Sequence, residues 1–256
     1  MIGIIGFGKM GRALAEGMTR KGFSVMAIDK GKINAEGVKE ASDYGELPEC
    51  EAILLCVKPK DMQEAIKKLK EAILKSNSHP LLISIAAGKT ISWLEKEIGD
   101  ERIVRAMPNL AAKVGKSATC FAANNKTSGS DLELVENIFG CVGECRQVKE
   151  GAIDIATAIG ASGLAYFFYF TKALAEAGVE AGLDEETAAW LACKAFGGAA
   201  SIVEEGSSSL DGLIEAVATP GGTTEAGLKV FEKRGLGQSV REAVKEAKAR
   251  AVELGT

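Results

Sequence analysis

The chain has 256 residues, 30 of them glycine and one histidine, with 46% hydrophobic and 26% charged positions. A chain of this length and composition buries a substantial core without crosslinks, which excludes disordered, collagen-like and disulfide-scaffold classes. A formal net charge of −4 leaves no basic footprint, so no nucleic acid is expected as a partner.

Six cysteines (Cys50, Cys56, Cys120, Cys141, Cys145, Cys193) are scattered, several in apolar runs where a thiol packs as a small hydrophobe. They point to a reducing compartment and a cytoplasmic location. Cys141 and Cys145 with the lone His79 match no common zinc spacing, so no metal is expected. The chain starts on an apolar strand pattern without a basic leader. Its longest charge-free stretch, Ile155 to Thr171, contains Gly160, Ser162 and Gly163 and reads as a buried helix; no membrane partner is expected.

Residues 1–150 alternate β-branched runs with amphipathic stretches, the pattern of βαβ units around a parallel sheet. Strands are expected at Ile2–Ile5, Ser24–Ile28, Ala52–Val57, Leu81–Ile85, Arg102–Ala106, Ser117–Ala122 and Glu144–Val148. Helices are expected at Lys9–Arg20, Asn34–Ala41, Lys60–Leu74, Ser92–Ile98 and Asp131–Phe139. Runs such as Ile53 to Val57 are apolar throughout, as strands buried on both faces require. The expected fold is α/β: an N-terminal Rossmann-type doubly wound parallel sheet (1–150) followed by an all-α region (151–256).

In that second region Asp184 is an N-cap signal, and an apolar stripe runs from Ala188 through Leu191, Ala192 and Phe196 to Val203. The preceding helix, near Ser162 to Ala181, is apolar on more than one face, so a second subunit is expected to cover it.

Gly6-Phe7-Gly8-Lys9-Met10-Gly11 is a complete G-x-G-x-x-G between the first strand and the first helix, the context in which it binds a dinucleotide. Asp29 ends the second strand, where an acid meets an adenosine ribose; neighbouring Lys30 suits a 2′-phosphate instead, so NADH and NADPH both stay open. Val57-Lys58-Pro59 and Ala86-Ala87 follow the third and fourth expected strands at the same sheet edge and are candidate cofactor contacts.

Farther on, Thr219-Pro220-Gly221-Gly222-Thr223-Thr224 opens a helix, and successive backbone N–H groups there favour a carboxylate. Gly160 and Gly163 have the G-x-x-G spacing of the β-hydroxyacid dehydrogenases, but the position of their lysine is Phe167. Without that proton shuttle a ketone is a poor substrate, whereas a protonated C=N is already electrophilic.

These segments, with Arg105-Ala106-Met107-Pro108-Asn109, Ala165-Tyr166 and above all Thr219 to Leu228, resemble the pyrroline-5-carboxylate reductases over essentially the whole chain. The resemblance implies hydride transfer from NADPH or NADH to 1-pyrroline-5-carboxylate, giving L-proline. It implies a substrate carboxylate held around Thr219, Gly221, Gly222, Thr223 and Thr224, with the Thr224 hydroxyl at the ring nitrogen as the catalytic group. Met107, Pro108 and Asn109 would lie near the nicotinamide, and the helical region would form a homodimer, in some members assembled further. The chain departs from the family's usual Ser-Gly-Ser-Gly-Pro at Gly160 to Leu164, and from its usual Thr-Pro at Leu110-Ala111. A related cyclic imino acid and a non-catalytic nucleotide sensor therefore stand as alternatives.

Overall fold

A computed structural model describes residues 1–255. Packing divides the chain into two compact units, Met1–Ser162 together with the segment from Glu246 onward, and Gly163–Lys245.

The first unit is built on an eight-stranded sheet: β1 (Ile2–Ile5), β2 (Val25–Ile28), β3 (Val38–Glu40), β4 (Ala52–Leu55), β5 (Leu81–Ser84), β6 (Ile103–Met107), β7 (Ser117–Ala123) and β8 (Gly143–Gln147). Their spatial order is β3-β2-β1-β4-β5-β6-β7-β8. β1, β4 and β5 are buried at every position, because helices cover both faces. On one face pack α1 (Lys9–Arg20) and α4 (Gly129–Gly140) through Leu14, Met18, Val135 and Phe139. The other face carries α2 (Met62–Ser76) and α3 (Ile91–Ile98) through Ile66, Leu69, Leu94 and Ile98. Strand order reverses at β1, between β2 and β4, and such a switch point opens a crevice at the carboxyl ends of the strands. The register Ile5↔Ile28 and Ile5↔Leu55 aligns those ends.

One expectation fails in this unit and another is refined. Residues 34–41 form no helix: Val38–Glu40 is an edge strand paired with β2, and Gly37, at φ +73°, turns the chain into it. Three residues are too few for periodicity to reveal. The sheet is also not parallel throughout, since β7 runs antiparallel to β6 with Val104 opposite Ala123. The link from Met107 to Ser117 holds only a short 3₁₀ segment, Leu110–Val114, and is shorter than the roughly dozen residues a parallel crossover takes.

The change from strands to helices falls at Glu150, but the packing boundary falls at 162, because Ile153 and Ala158 are fully buried in the first unit. One helical run, Glu150–Glu180, comprises a 3₁₀ turn, α5 (Ile153–Ala156), a π-helical turn Thr157–Ala161 and α6 (Ser162–Glu180). Then follow α7 (Glu185–Glu205), α8 (Leu210–Val217), α9 (Thr223–Lys233) and α10 (Leu236–Glu253). Asp184 caps α7 by accepting the Thr187 N–H at 2.9 Å. Within the second unit α6 meets α7 through Phe167 and Phe196, whose ring centroids lie 5.7 Å apart.

The expected burial of Ile155–Thr171 is not reached within one chain. Phe167, Phe168 and Phe170 are exposed and Tyr169 is 75% exposed. The 31-residue run Glu150–Glu180 is long and apolar enough to cross a membrane, and 17% of its apolar window is buried. An aromatic face this open, on a helix whose glycines and hydroxyls suit close packing, fits coverage by another protein surface.

Candidate active site

The three glycines of the first loop have separate tasks. Gly6 takes φ +99°, and a Cβ there would sit 2.7 Å from the Val57 nitrogen. At Gly11 a Cβ would overlap the Gly6 carbonyl oxygen, so a glycine is needed to lay α1 against the turn. Gly8 is different: it caps α1 in an extended conformation, and a Cβ there meets nothing within 4 Å. The loop therefore opens at Gly8 onto the amino end of α1, whose first turn carries no acidic residue. A pyrophosphate fits such a place, with free amides and the positive end of the helix dipole before it. Of the neighbouring candidates, Lys9 is exposed, Met10 packs partly against the core, and Phe7 lies under the Arg12 guanidinium at 5.4 Å.

Asp29 stands at the carboxyl end of β2 and binds the loop itself. Its Oδ2 accepts the Phe7 N–H at 2.5 Å and its Oδ1 accepts the Gly31 N–H at 2.9 Å. About two of a carboxylate's four lone-pair positions remain for ribose hydroxyls. Lys30 points its ammonium at Asp61 (3.2 Å) and Glu64 (3.4 Å), and hydrogen bonds to Asp61 first and Glu64 second hold its pKa above the ordinary lysine value.

These residues line an open cavity of about 480 Å³ together with Gly6, Gly8, Val57 and Lys58. Pro59 starts a 3₁₀ turn that runs into α2. Among the members of this wall that sequence reading missed are Tyr44, Lys60, Asp61, Glu64 and Lys68. Tyr44 comes from a 3₁₀ segment after β3, with Lys68 Nζ 5.8 Å from its ring centroid, and burial raises its pKa. Asp29→Ser is expected to weaken NADH binding about tenfold, the worth of one or two hydrogen bonds, and to shift preference toward NADPH; titration with both dinucleotides checks it.

Farther along the same edge, Ala86 and Ala87 follow β5, and Ala86 N–H donates to Ser84 Oγ at 3.3 Å. Met107 ends β6, and it and the following Pro108 and Asn109 are buried. Asn109 is fastened on every side: Oδ1 accepts the Ala111 N–H (3.0 Å), Nδ2 donates to the Gly160 carbonyl (2.9 Å), and its N–H donates to Ser117 Oγ (3.1 Å).

In the second unit, Gly221 takes φ +73° and Gly222 caps α9 in an extended conformation. A Cβ at Gly222 would come 2.6 Å from Thr219 Oγ1, so this glycine lets Thr219 fold over the turn. The glycine amides do not join a shared outward array as expected: Gly222 N–H donates to the Thr219 carbonyl (2.9 Å) and Gly221 N–H to Glu225 Oε2 (2.9 Å). That last bond, then Lys229, lowers the Glu225 pKa. No side chain caps the first turn of α9, and Thr224 is half-buried while Thr219 and Thr223 are exposed.

A parallel-dominated sheet with this glycine loop at its switch point defines a dinucleotide-binding protein. Residues 1–88 match the model of the F420-dependent NADP oxidoreductase family, and residues 150–254 match pyrroline-5-carboxylate reductase dimerisation. Pyrroline-5-carboxylate reductases of Aquifex aeolicus and Methanosarcina acetivorans are each 34% identical to this chain, over 99% of it and 97% of their own length. A crystal structure of the Plasmodium falciparum pyrroline carboxylate reductase with NADP bound (31% identity, TM-score 0.90) and a structure of the Coxiella burnetii pyrroline-5-carboxylate reductase (32%, 0.91) each match 100% of this chain and 98% of theirs. The chain belongs to the pyrroline-5-carboxylate reductase family and is an NAD(P)-dependent oxidoreductase of proline biosynthesis.

Proposed function

We propose that this chain reduces the C=N bond of 1-pyrroline-5-carboxylate to L-proline, with the cofactor on the Gly6–Gly11 loop and the imino acid on the loop Thr219–Thr224. The observation that carries the substrate half is the amino end of α9, uncapped by any side chain and flanked by three threonine hydroxyls. A carboxylate is the natural ligand of such an end. On this reading the Thr223 and Thr224 amides and the Thr219 and Thr223 hydroxyls bind it, while Gly221 and Gly222 shape the turn.

The bound nicotinamide supplies the hydride. Thr224 Oγ1 accepts the N–H of the protonated ring nitrogen and so orients the imine carbon. When that carbon takes the hydride, the π electron pair moves to nitrogen, giving a neutral secondary amine that is protonated from solvent. No lysine is required, in keeping with Phe167 at the position where a dehydrogenase of similar layout carries one. Gly6, Phe7, Gly8, Lys9, Met10 and Gly11 form the pyrophosphate cradle and Asp29 holds the ribose. Lys30, Val57, Lys58, Pro59, Ala86, Ala87, Met107, Pro108 and Asn109 complete the cofactor's surroundings.

We assign residues 151–256 to pairing with a second copy, which covers the aromatic face of α6. The six free cysteines support a cytoplasmic place of action. The test is loss of NADH or NADPH absorbance on adding 1-pyrroline-5-carboxylate to purified protein; no oxidation with either cofactor overturns the assignment. A second reading, a related cyclic imino acid, is favoured by one contact. The bond from Asn109 to the Gly160 carbonyl links the residue before Leu110-Ala111 to the first residue of Gly160–Leu164, which brings the two departures from the family pattern close together. Faster turnover of a six-membered cyclic imine would establish it.

A further inference from the structure

A Rossmann site distinguishes NADH from NADPH at the end of its second strand, where an acid takes the ribose hydroxyls or a cation takes the 2′-phosphate. This chain has one of each, Asp29 and Lys30, side by side. The two are not equally available. Asp29 is fixed by two backbone N–H bonds on the loop it serves, with lone pairs left over.

Lys30 is 74% exposed in its side chain, yet its ammonium is directed between Asp61, at the last position of the 3₁₀ turn, and Glu64, in the first turn of α2. Glu64 also holds Lys68 at 2.8 Å, so a second lysine of the cavity wall is neutralised by the same carboxylate. A phosphate dianion arriving beside Asp29 would face Asp29, Asp61 and Glu64, and would have to draw Lys30 out of both its ion pairs. Lys58 and Lys60 also line the cavity, from the segment after β4, whereas Lys30 is the lysine that directly follows Asp29 at the end of β2.

We propose that Asp61 and Glu64 are positioning residues for cofactor choice, and that by holding Lys30 they make this chain prefer NADH over NADPH. The inference rests on the dinucleotide site described above and is independent of which imine is reduced.

The test measures dissociation constants of NADH and NADPH by calorimetry, without imine, for the wild type, Asp61→Asn/Glu64→Gln, Glu64→Gln alone, and Lys30→Ala in the wild-type and doubly substituted backgrounds. A unit charge at about 4 Å in water is worth about fivefold in affinity, which sets the scale. The wild type is expected to bind NADH at least about fivefold more tightly than NADPH. The double variant should lower the ratio Kd(NADPH)/Kd(NADH) by at least about fivefold, and Lys30→Ala should undo that change while leaving the wild-type ratio nearly unaltered.

A smaller fall in the double variant overturns the proposal, as does a wild type that binds NADPH equally or better, or one in which Lys30→Ala already costs NADPH about fivefold. A purely structural role for the two acids would weaken both cofactors alike and leave the ratio fixed, which also overturns it. Glu64→Gln alone, with Asp61 intact, supplies the same ratio should the double variant fail to fold. Absence of binding by either dinucleotide removes the site and the proposal together. Binding without imine turnover removes only the assigned reaction.

Discussion

Thr224→Ala is expected to lower turnover of 1-pyrroline-5-carboxylate by about a hundredfold or more, the usual cost of deleting one hydrogen-bonding group aimed at the reacting centre. The structure separates this effect from a structural one. Threonine in the first turn of a helix often earns its place as a cap, and losing a cap costs about 1 kcal/mol. Here the N-cap is Gly222, no side chain caps α9, and Thr224 is the second residue of the helix, where alanine is the better helix former. The variant should therefore melt no earlier than the wild type and bind the dinucleotide equally well, while kcat falls. Steady-state kinetics with a thermal melt checks it; unchanged kcat, or a melting temperature that falls with it, removes Thr224 from the chemistry.

The contrast between the two glycine-rich loops shows what a sequence discloses. At Gly6–Gly11 the requirement is local: a turn with φ +99° at Gly6 and a helix laid against it at Gly11 are both set within six residues, so spacing alone identifies them. At Gly221–Gly222 the same residue type permitted two arrangements. The glycine amides are taken up by Thr219 and Glu225, and the α9 amides are left as the open ones. The end of β2 was legible as a site because strand and loop predict it. The bond from Asp29 to Phe7 was not, since it depends on the β1–β2 register. Nor were Asp61 and Glu64, which the 3₁₀ turn and α2 bring to Lys30 from more than thirty residues along the chain.

In the helical half, periodicity located α7 and its Asp184 cap but not what the apolar stripe faces. Ala188 and Ala192 are buried, whereas Leu191, Ile202 and Val203 are 44%, 49% and 47% exposed. A stripe meant for a neighbouring subunit has the same period as one meant for the chain's own core.

Arg105→Met is expected to destabilise the first unit strongly. The Arg105 side chain, 1% exposed, reaches from β6 to Asp154, with Glu150 at 3.6 Å. Glu150 in turn accepts the Ile91 N–H at 2.6 Å at the start of α3. One guanidinium thus ties a strand, a helix start and the helical run after Glu150, and only its Nε lacks a partner among the buried side-chain polar atoms described. Methionine nearly preserves the volume but leaves the Asp154 carboxylate, 17% exposed, without its counter-charge.

Breaking a buried pair on one side costs about 3–5 kcal/mol, and the low end applies because Glu150 remains about a third exposed to water. For a chain of this size each kcal/mol lowers Tm by about 2–4 °C, so a fall of roughly 6–12 °C is expected in a thermal melt. The same variant should also weaken dinucleotide binding, because Met107, Pro108 and Asn109 follow on the same strand end. Adding Glu150→Gln and Asp154→Leu removes the stranded charges and should recover at least half of the lost Tm. Recovery assigns the loss to unpaired charge; a triple variant no more stable than Arg105→Met would instead place the loss in packing and refute the ion-pair account.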